Sequence, residues 1–93
     1  MRVLWTKSAA ADLEAIVNFI RTDNAEAAHG VGRKLYSAAA SLSIMPRRGR
    51  VGLVDGTREL ILAPLPYILV YQVLERDVLI VRIRHAAQEW PTA

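Results

Sequence analysis

The sequence predicts an α+β domain: an N-terminal strand, an antiparallel two-helix hairpin, then three antiparallel strands forming one sheet. Three observations carry this. Leu13, Ile16, Val17 and Ile20 recur at i, i+3, i+4 and i+7, a single helical stripe. Ala28, Val31, Leu35, Ala38 and Leu42 make a second such stripe. Beyond Pro46 the period falls to two, in segments rich in β-branched and aromatic residues and separated by turn signals.

The elements follow in order. Residues 2–5 read as a short strand with Val3 and Trp5 on one face. Thr6 or Ser8 caps the helix after it by accepting a bond from an orphan N–H, and Asp12 complements that helix's dipole. Asp23-Asn24 breaks this helix and caps the next, which spans about residues 25–44 until Pro46 ends it. Its Gly30 and Gly32 each cost roughly 1 kcal/mol of helix propensity, while Ala27, Ala28 and the glycines permit close approach of the first helix. So short a link predicts an antiparallel hairpin. Residues 46–52 read as a loop and Asp55-Gly56 as a turn. Residues 57–63, 67–74 and 78–85 read as strands, the middle one apolar enough to be central.

A chain of 93 residues supports one domain, residues 1–93, with a modest core. Its apolar fraction of 53% is high for that size, so part of the apolar surface is expected to need a partner. The sequence has no cysteine, which excludes disulfides and thiolate metal sites. The N-terminal residues turn polar too soon for a signal peptide, and the apolar runs near residues 68–74 and 78–81 are too short to span a membrane. The expected location is the cytoplasm.

Net charge is +3, carried by ten arginines and two lysines against nine acidic residues. Arginine offers a planar fork to carboxylate and phosphate alike, so an acidic protein fits as well as a nucleic acid. Strict alternation in the last strand puts Val78, Ile80, Arg82 and Arg84 on one face and Leu79, Val81, Ile83 and His85 on the other. With the hairpin on the all-apolar side, the first set becomes an open, half-apolar, half-arginine face suited to a partner. Arg82 and Arg84 would repel one another there unless an anion or carboxylate lies between them. Arg47-Arg48-Gly49-Arg50 is a compact basic loop, read either as a solvated turn or as a partner contact. Arg58 beside Glu59 suggests a cross-strand ion pair. The expected partner-binding set is thus Arg47, Arg48, Arg50, Arg58, Val78, Ile80, Arg82 and Arg84, together with Trp90, which also covers an edge of the core.

Little else points to chemistry. His29 and His85 have no thiol or acidic cluster at ligand spacing, so no metal is expected. No glycine fingerprint cradles phosphate, and no cofactor is expected. The serines sit in helical or capping positions. His85 is readable as an acid/base group or as a hydrogen-bonded strand end tying down Gln88-Glu89-Trp90-Pro91; the second reading is preferred.

Trp5 with Ala10, Asp12-Leu13 and Ile16, then Pro46 with Gly49-Arg50, Thr57-Arg58-Glu59-Leu60, Tyr67-Ile68-Leu69-Val70-Tyr71-Gln72-Val73, and His85-Ala86-Ala87-Gln88 with Trp90-Pro91 occur in an order that resembles the RelE/ParE superfamily of bacterial toxins. The likeness covers nearly the whole chain. It implies the toxin of a type II toxin–antitoxin pair, held in a hetero-oligomer by a cognate antitoxin whose C-terminal segment wraps it. RelE-like members cleave mRNA in the ribosomal A site; ParE-like members bind DNA gyrase without chemistry of this kind. Many RNA-cleaving relatives carry arginine at the position of Ile68, and lysine-rich segments are missing here, which favours the ParE-like reading with no catalytic residue. The alternative is an endoribonuclease using Arg58, Arg82, Arg84 and His85. A binding module with another target is a third class.

Overall fold

The computed structural model describes residues 1–91. Strand β1 (Arg2–Trp5) leads into helix α1 (Lys7–Arg21) and helix α2 (Ala25–Ser41), followed by strands β2 (Arg50–Val51), β3 (Arg58–Ile61), β4 (Tyr67–Val73) and β5 (Asp77–His85). The strands form one sheet in the order β1-β5-β4-β3-β2. The expected α+β layout holds, with two differences. β1 pairs parallel with β5, so the sheet is mixed. Residues 50–51, expected in a loop, pair antiparallel with β3 as a fifth, edge strand.

Local chemistry accounts for the helix ends. Thr6 is the N-cap of α1, its hydroxyl accepting from the Ala9 N–H at 3.0 Å, and Asn24 caps α2 in the same way through the Ala27 N–H. α2 stops three residues short of the expected end. Its last turn tightens into i→i+3 bonds, Leu42 N–H to Ala39 O, Ser43 N–H to Ala40 O and Ile44 N–H to Ser41 O. Ser41 aids this by donating its hydroxyl to Ala38 O. Gly32 lets the helices approach: a Cβ there would meet Val17 Cγ2 at 3.1 Å.

The core lies between the hairpin and one sheet face. Ala9, Leu35, Ala39 and Leu42 of the helical layer meet Leu60, Leu69, Tyr71, Val78, Ile80 and Ile83 of the sheet, with Val3, Trp5, Leu13, Ile16 and Val31 packed against them. Burying each large member stabilises by about 1.5–3 kcal/mol.

This core corrects the phase expected for β5. Val70 of β4 pairs with Arg82, but the next residue, Tyr71, pairs with Ile80, so the register skips Val81. The extra residue is a bulge, and it reverses the alternation along β5. Val78 and Ile80 therefore face the helices with Ile83, both at 0% exposure, and do not belong to the open face.

Candidate functional site

The pairings fix which side chains share the face away from the helices. Arg50 lies opposite Glu59, Glu59 opposite Val70, and Val70 opposite Arg82. Two residues along, Ile61, Ile68 and Arg84 make the next row. Arg82 and Arg84 do share a face, as alternation from Arg82 onward requires, but its apolar members include Ile61, Ile68, Val70 and, opposite Gln72, Leu79, which was expected on the other face.

The arginines of this face are neutralised from within the chain. Arg84 is buried, its Nη2 3.3 Å from Glu59 Oε1, and its guanidinium lies 5.7 Å from the centre of the Trp90 ring. The same oxygen receives Arg50 Nη2 at 3.0 Å, while Glu59 Oε2 accepts from the Leu53 N–H at 3.2 Å. Burial pushes the Glu59 carboxyl up, but the hydrogen bonds from Arg50, Leu53 and Arg84 outweigh it and hold the group below its ordinary value. Glu59 therefore pairs with Arg50 and Arg84, not with Arg58 as its place in the sequence suggested.

Arg82 finds its own carboxylate on α1. Asp12 takes it bidentately, Oδ2 from Nε at 2.8 Å and Oδ1 from Nη2 at 3.0 Å. These bonds hold the Arg82 guanidinium above its ordinary value. Asp12 Oδ2 also accepts from the Ile83 N–H at 2.9 Å, and Thr6 donates its hydroxyl to Val81 O. Together they satisfy the edge of β5 beyond Ile80, where pairing with β1 ends. Asp12 is thus a tie between helix and sheet; the first turn of α1 has no acidic residue to complement its dipole.

The remaining candidates lie elsewhere. Arg58 pairs opposite Tyr71, which puts it on the helix-facing side, and its Nη1 donates to Gly49 O at 2.7 Å. His85 pairs opposite Tyr67 on that same side, edge-on to its ring at 5.7 Å. The His85 Nδ1 accepts from the Ala87 N–H, and its backbone bonds Gln88, so the residue ties down the start of the tail. Arg58 and His85 on one side, and Arg82 and Arg84 on the other, do not converge. Trp90 is half-buried against Arg84. Arg47 and Arg48 are exposed, Arg48 donating to the Ser41 hydroxyl at 2.9 Å.

Tyr71 was not singled out by its sequence context, yet it positions the basic loop. Its fully buried hydroxyl accepts from the Gly49 N–H at 2.8 Å and donates to Pro46 O at 2.7 Å. A Cβ on Gly49 would come within 2.7 Å of that hydroxyl oxygen, so only glycine fits. Arg47 and Arg48 are held on a short span pinned at both ends.

The comparisons with known proteins agree with this architecture. Residues 3–90 match the family model described as the ParE toxin of the type II toxin–antitoxin system parDE. Toxin RelE2 of Caulobacter vibrioides is 44% identical over 87 residues, covering 94% of this chain and 97% of that protein. Y4kP of Sinorhizobium fredii is 40% identical over 90 residues, covering 97% and 93%. Among solved structures, a chain of the chromosomal ParDE toxin–antitoxin system from P. aeruginosa superposes with a TM-score of 0.84 at 28% identity, covering 91% of this chain and 95% of that one. With its sequence and fold both matching, this chain belongs to the ParE toxin family of type II toxin–antitoxin systems, within the RelE/ParE superfamily.

Proposed function

We propose that this toxin acts in the cytoplasm by binding DNA gyrase, without catalysis, and that a cognate antitoxin neutralises it in a toxin–antitoxin complex. The observation that supports this reading is how the sheet divides the groups that the endoribonuclease alternative would use. Arg58 and His85 lie on the helix-facing side, whereas Arg82 and Arg84 lie on the other and are spent on Asp12 and Glu59. In-line cleavage of RNA needs free cations around one phosphate and a base at the ribose hydroxyl. Ile68, at the position where many RNA-cleaving relatives carry arginine, is buried and apolar.

The purified chain should inhibit gyrase supercoiling in vitro and leave ribosome-bound mRNA intact. Codon-positioned cuts in a translation extract, abolished by Arg84→Ala or His85→Ala in a folded protein, would establish the endoribonuclease instead.

A further inference from the structure

We infer that the end of the molecule formed by residues 44–54 is the surface with which the toxin holds its target, and that the target meets it with a folded, acidic surface carrying apolar hollows. The inference rests on the gyrase reading and adds to it a place and a chemistry of contact.

Three observations carry it. The first is apolar exposure gathered in one segment. Ile44 is 84% exposed, Val51 77%, Leu53 69% and Met45 58%. Side chains so bare have few neighbours of their own, so they project. A small domain rarely leaves so many large apolar groups in water within one stretch unless a partner covers them.

The second is charge. Arg47, Arg48 and Arg50 are exposed among these side chains, and residues 44–54 contain no acidic residue. Among the described residues no carboxylate pairs with Arg47 or Arg48, and Arg48 bonds the neutral Ser41 hydroxyl. Arg50 shares Glu59 with Arg84, so that cluster keeps a positive charge in excess. Like charges oppose contact with a second copy through this end, and they call for carboxylates on the partner. A phosphate backbone would satisfy the arginines but would leave the apolar side chains wet.

The third is rigidity. The Tyr71 hydroxyl holds the Gly49 N–H and Pro46 O, and Arg58 holds Gly49 O. Past β2, the Gly52 N–H donates to Thr57 O at 2.8 Å and the Leu53 N–H to Glu59. The projecting groups are therefore held in place before contact, and little ordering entropy is lost when a preformed surface meets them. A flexible segment that orders on binding is better seated in a groove. Two grooves, of about 580 and 320 Å³, run along the helical hairpin, both lined by Leu13, Val17, Arg21 and Tyr36, and neither includes a residue of this segment. A fixed, projecting end is suited instead to a cleft that the target already has.

The test measures affinity of the full-length toxin for DNA-free gyrase holoenzyme, with antitoxin affinity beside it. Arg47→Glu/Arg48→Glu reverses the charge, and Ile44→Ser/Leu53→Ser removes apolar contact. Lys7→Glu/Arg76→Glu makes the same change of net charge at exposed positions elsewhere and serves as the control. We expect the first pair to weaken gyrase binding about tenfold or more, with a flatter salt dependence, and the second about fivefold or more. The control should stay within about twofold of the parent. In the parent, bound gyrase should also shield Arg47 and Arg48 from phenylglyoxal; that footprint decides should a variant fail to fold. Unchanged gyrase affinity in both pairs, with the parent still binding, overturns this surface and leaves the gyrase reading intact. A parent that binds no gyrase removes both. Loss of antitoxin affinity with gyrase affinity unchanged assigns this end to the antitoxin and overturns the inference. A loss seen in the charge reversal alone, and only when gyrase carries DNA, assigns it to nucleic acid and also overturns it.

Discussion

Arg84 and Glu59 meet at 3.3 Å across the width of β4, with side chains only 8% and 0% exposed. Arg84 belongs to β5 and Glu59 to β3, so the pair bridges two strands that are not neighbours. Both charges are desolvated, and each is tolerated because the other is present. Such a pair adds little net stability compared with an apolar replacement, but removing one partner strands a buried charge. Glu59→Gln should destabilise the fold by about 3–5 kcal/mol. Replacing both, as Glu59→Met with Arg84→Met, should recover most of that loss. Urea denaturation of the two variants checks this; equal losses would mean that the pairing is not the source.

Glu59 also sets a pH dependence. Its folded-state carboxyl lies below its ordinary value, whereas in the unfolded chain it titrates near about 4.3. The ionised group therefore contributes its full stabilisation above about pH 4.3. As the pH falls through that value the unfolded state takes up the proton first, and the contribution shrinks until the folded-state group is protonated too. The parent should lose stability over this acid window more steeply than Glu59→Gln, whose side chain does not titrate. Denaturant midpoints measured from pH 6 down to pH 3 compare the slopes, and parallel curves would contradict the assignment.

Asp12 supports a separate prediction. It holds Arg82 bidentately and also accepts from the Ile83 amide, so Asp12→Ala removes an ion pair and leaves a part-buried N–H unpaired. The orphaned amide should cost about 1–3 kcal/mol. The ion pair adds less, because the Arg82 side chain is partly in water. Arg82→Met keeps the Asp12–Ile83 bond and should cost less than Asp12→Ala. Thermal melts of the two variants give the comparison, and a larger loss in Arg82→Met would reverse the roles assigned here.

The sequence made the helices and most strands legible because their periodicities are local. Thr6 and Asn24 cap as their side-chain chemistry suggests, and Leu35 and Leu42 face inward as their spacing requires. β5 was misread for a physical reason. Leu79, Ile80 and Val81 are all apolar, so nothing in their pattern marks the residue that bulges, and one skipped residue exchanges the faces of Val78 and Ile80 with respect to Arg82 and Arg84. No single carboxylate lies between Arg82 and Arg84, contrary to expectation; each has its own, Asp12 for Arg82 and Glu59 for Arg84. Neither pairing was visible, because Asp12 and Glu59 lie 70 and 25 residues away. A carboxylate inside a short strand, as Glu59 is between Arg58 and Leu60, is the one local hint that a buried cation answers it.

Tyr71 connects the central strand to the basic loop. Its hydroxyl satisfies the Gly49 N–H and Pro46 O together, which fixes the span carrying Arg47 and Arg48 against the central strand. Tyr71→Phe keeps the ring and removes only the hydroxyl, leaving a buried amide and a carbonyl without that partner. The expected cost is about 1–3 kcal/mol, the penalty for a buried group left unsatisfied. Gly49→Ala should cost at least as much by a different route, since its Cβ would press on the Tyr71 hydroxyl and on Glu59 O at 2.7 and 2.8 Å. The two changes disturb one contact, so their effects should not add: the double variant should be less destabilised than the sum of the singles. A double-mutant cycle by urea denaturation measures that coupling, and strict additivity would show that Gly49 and Tyr71 act independently.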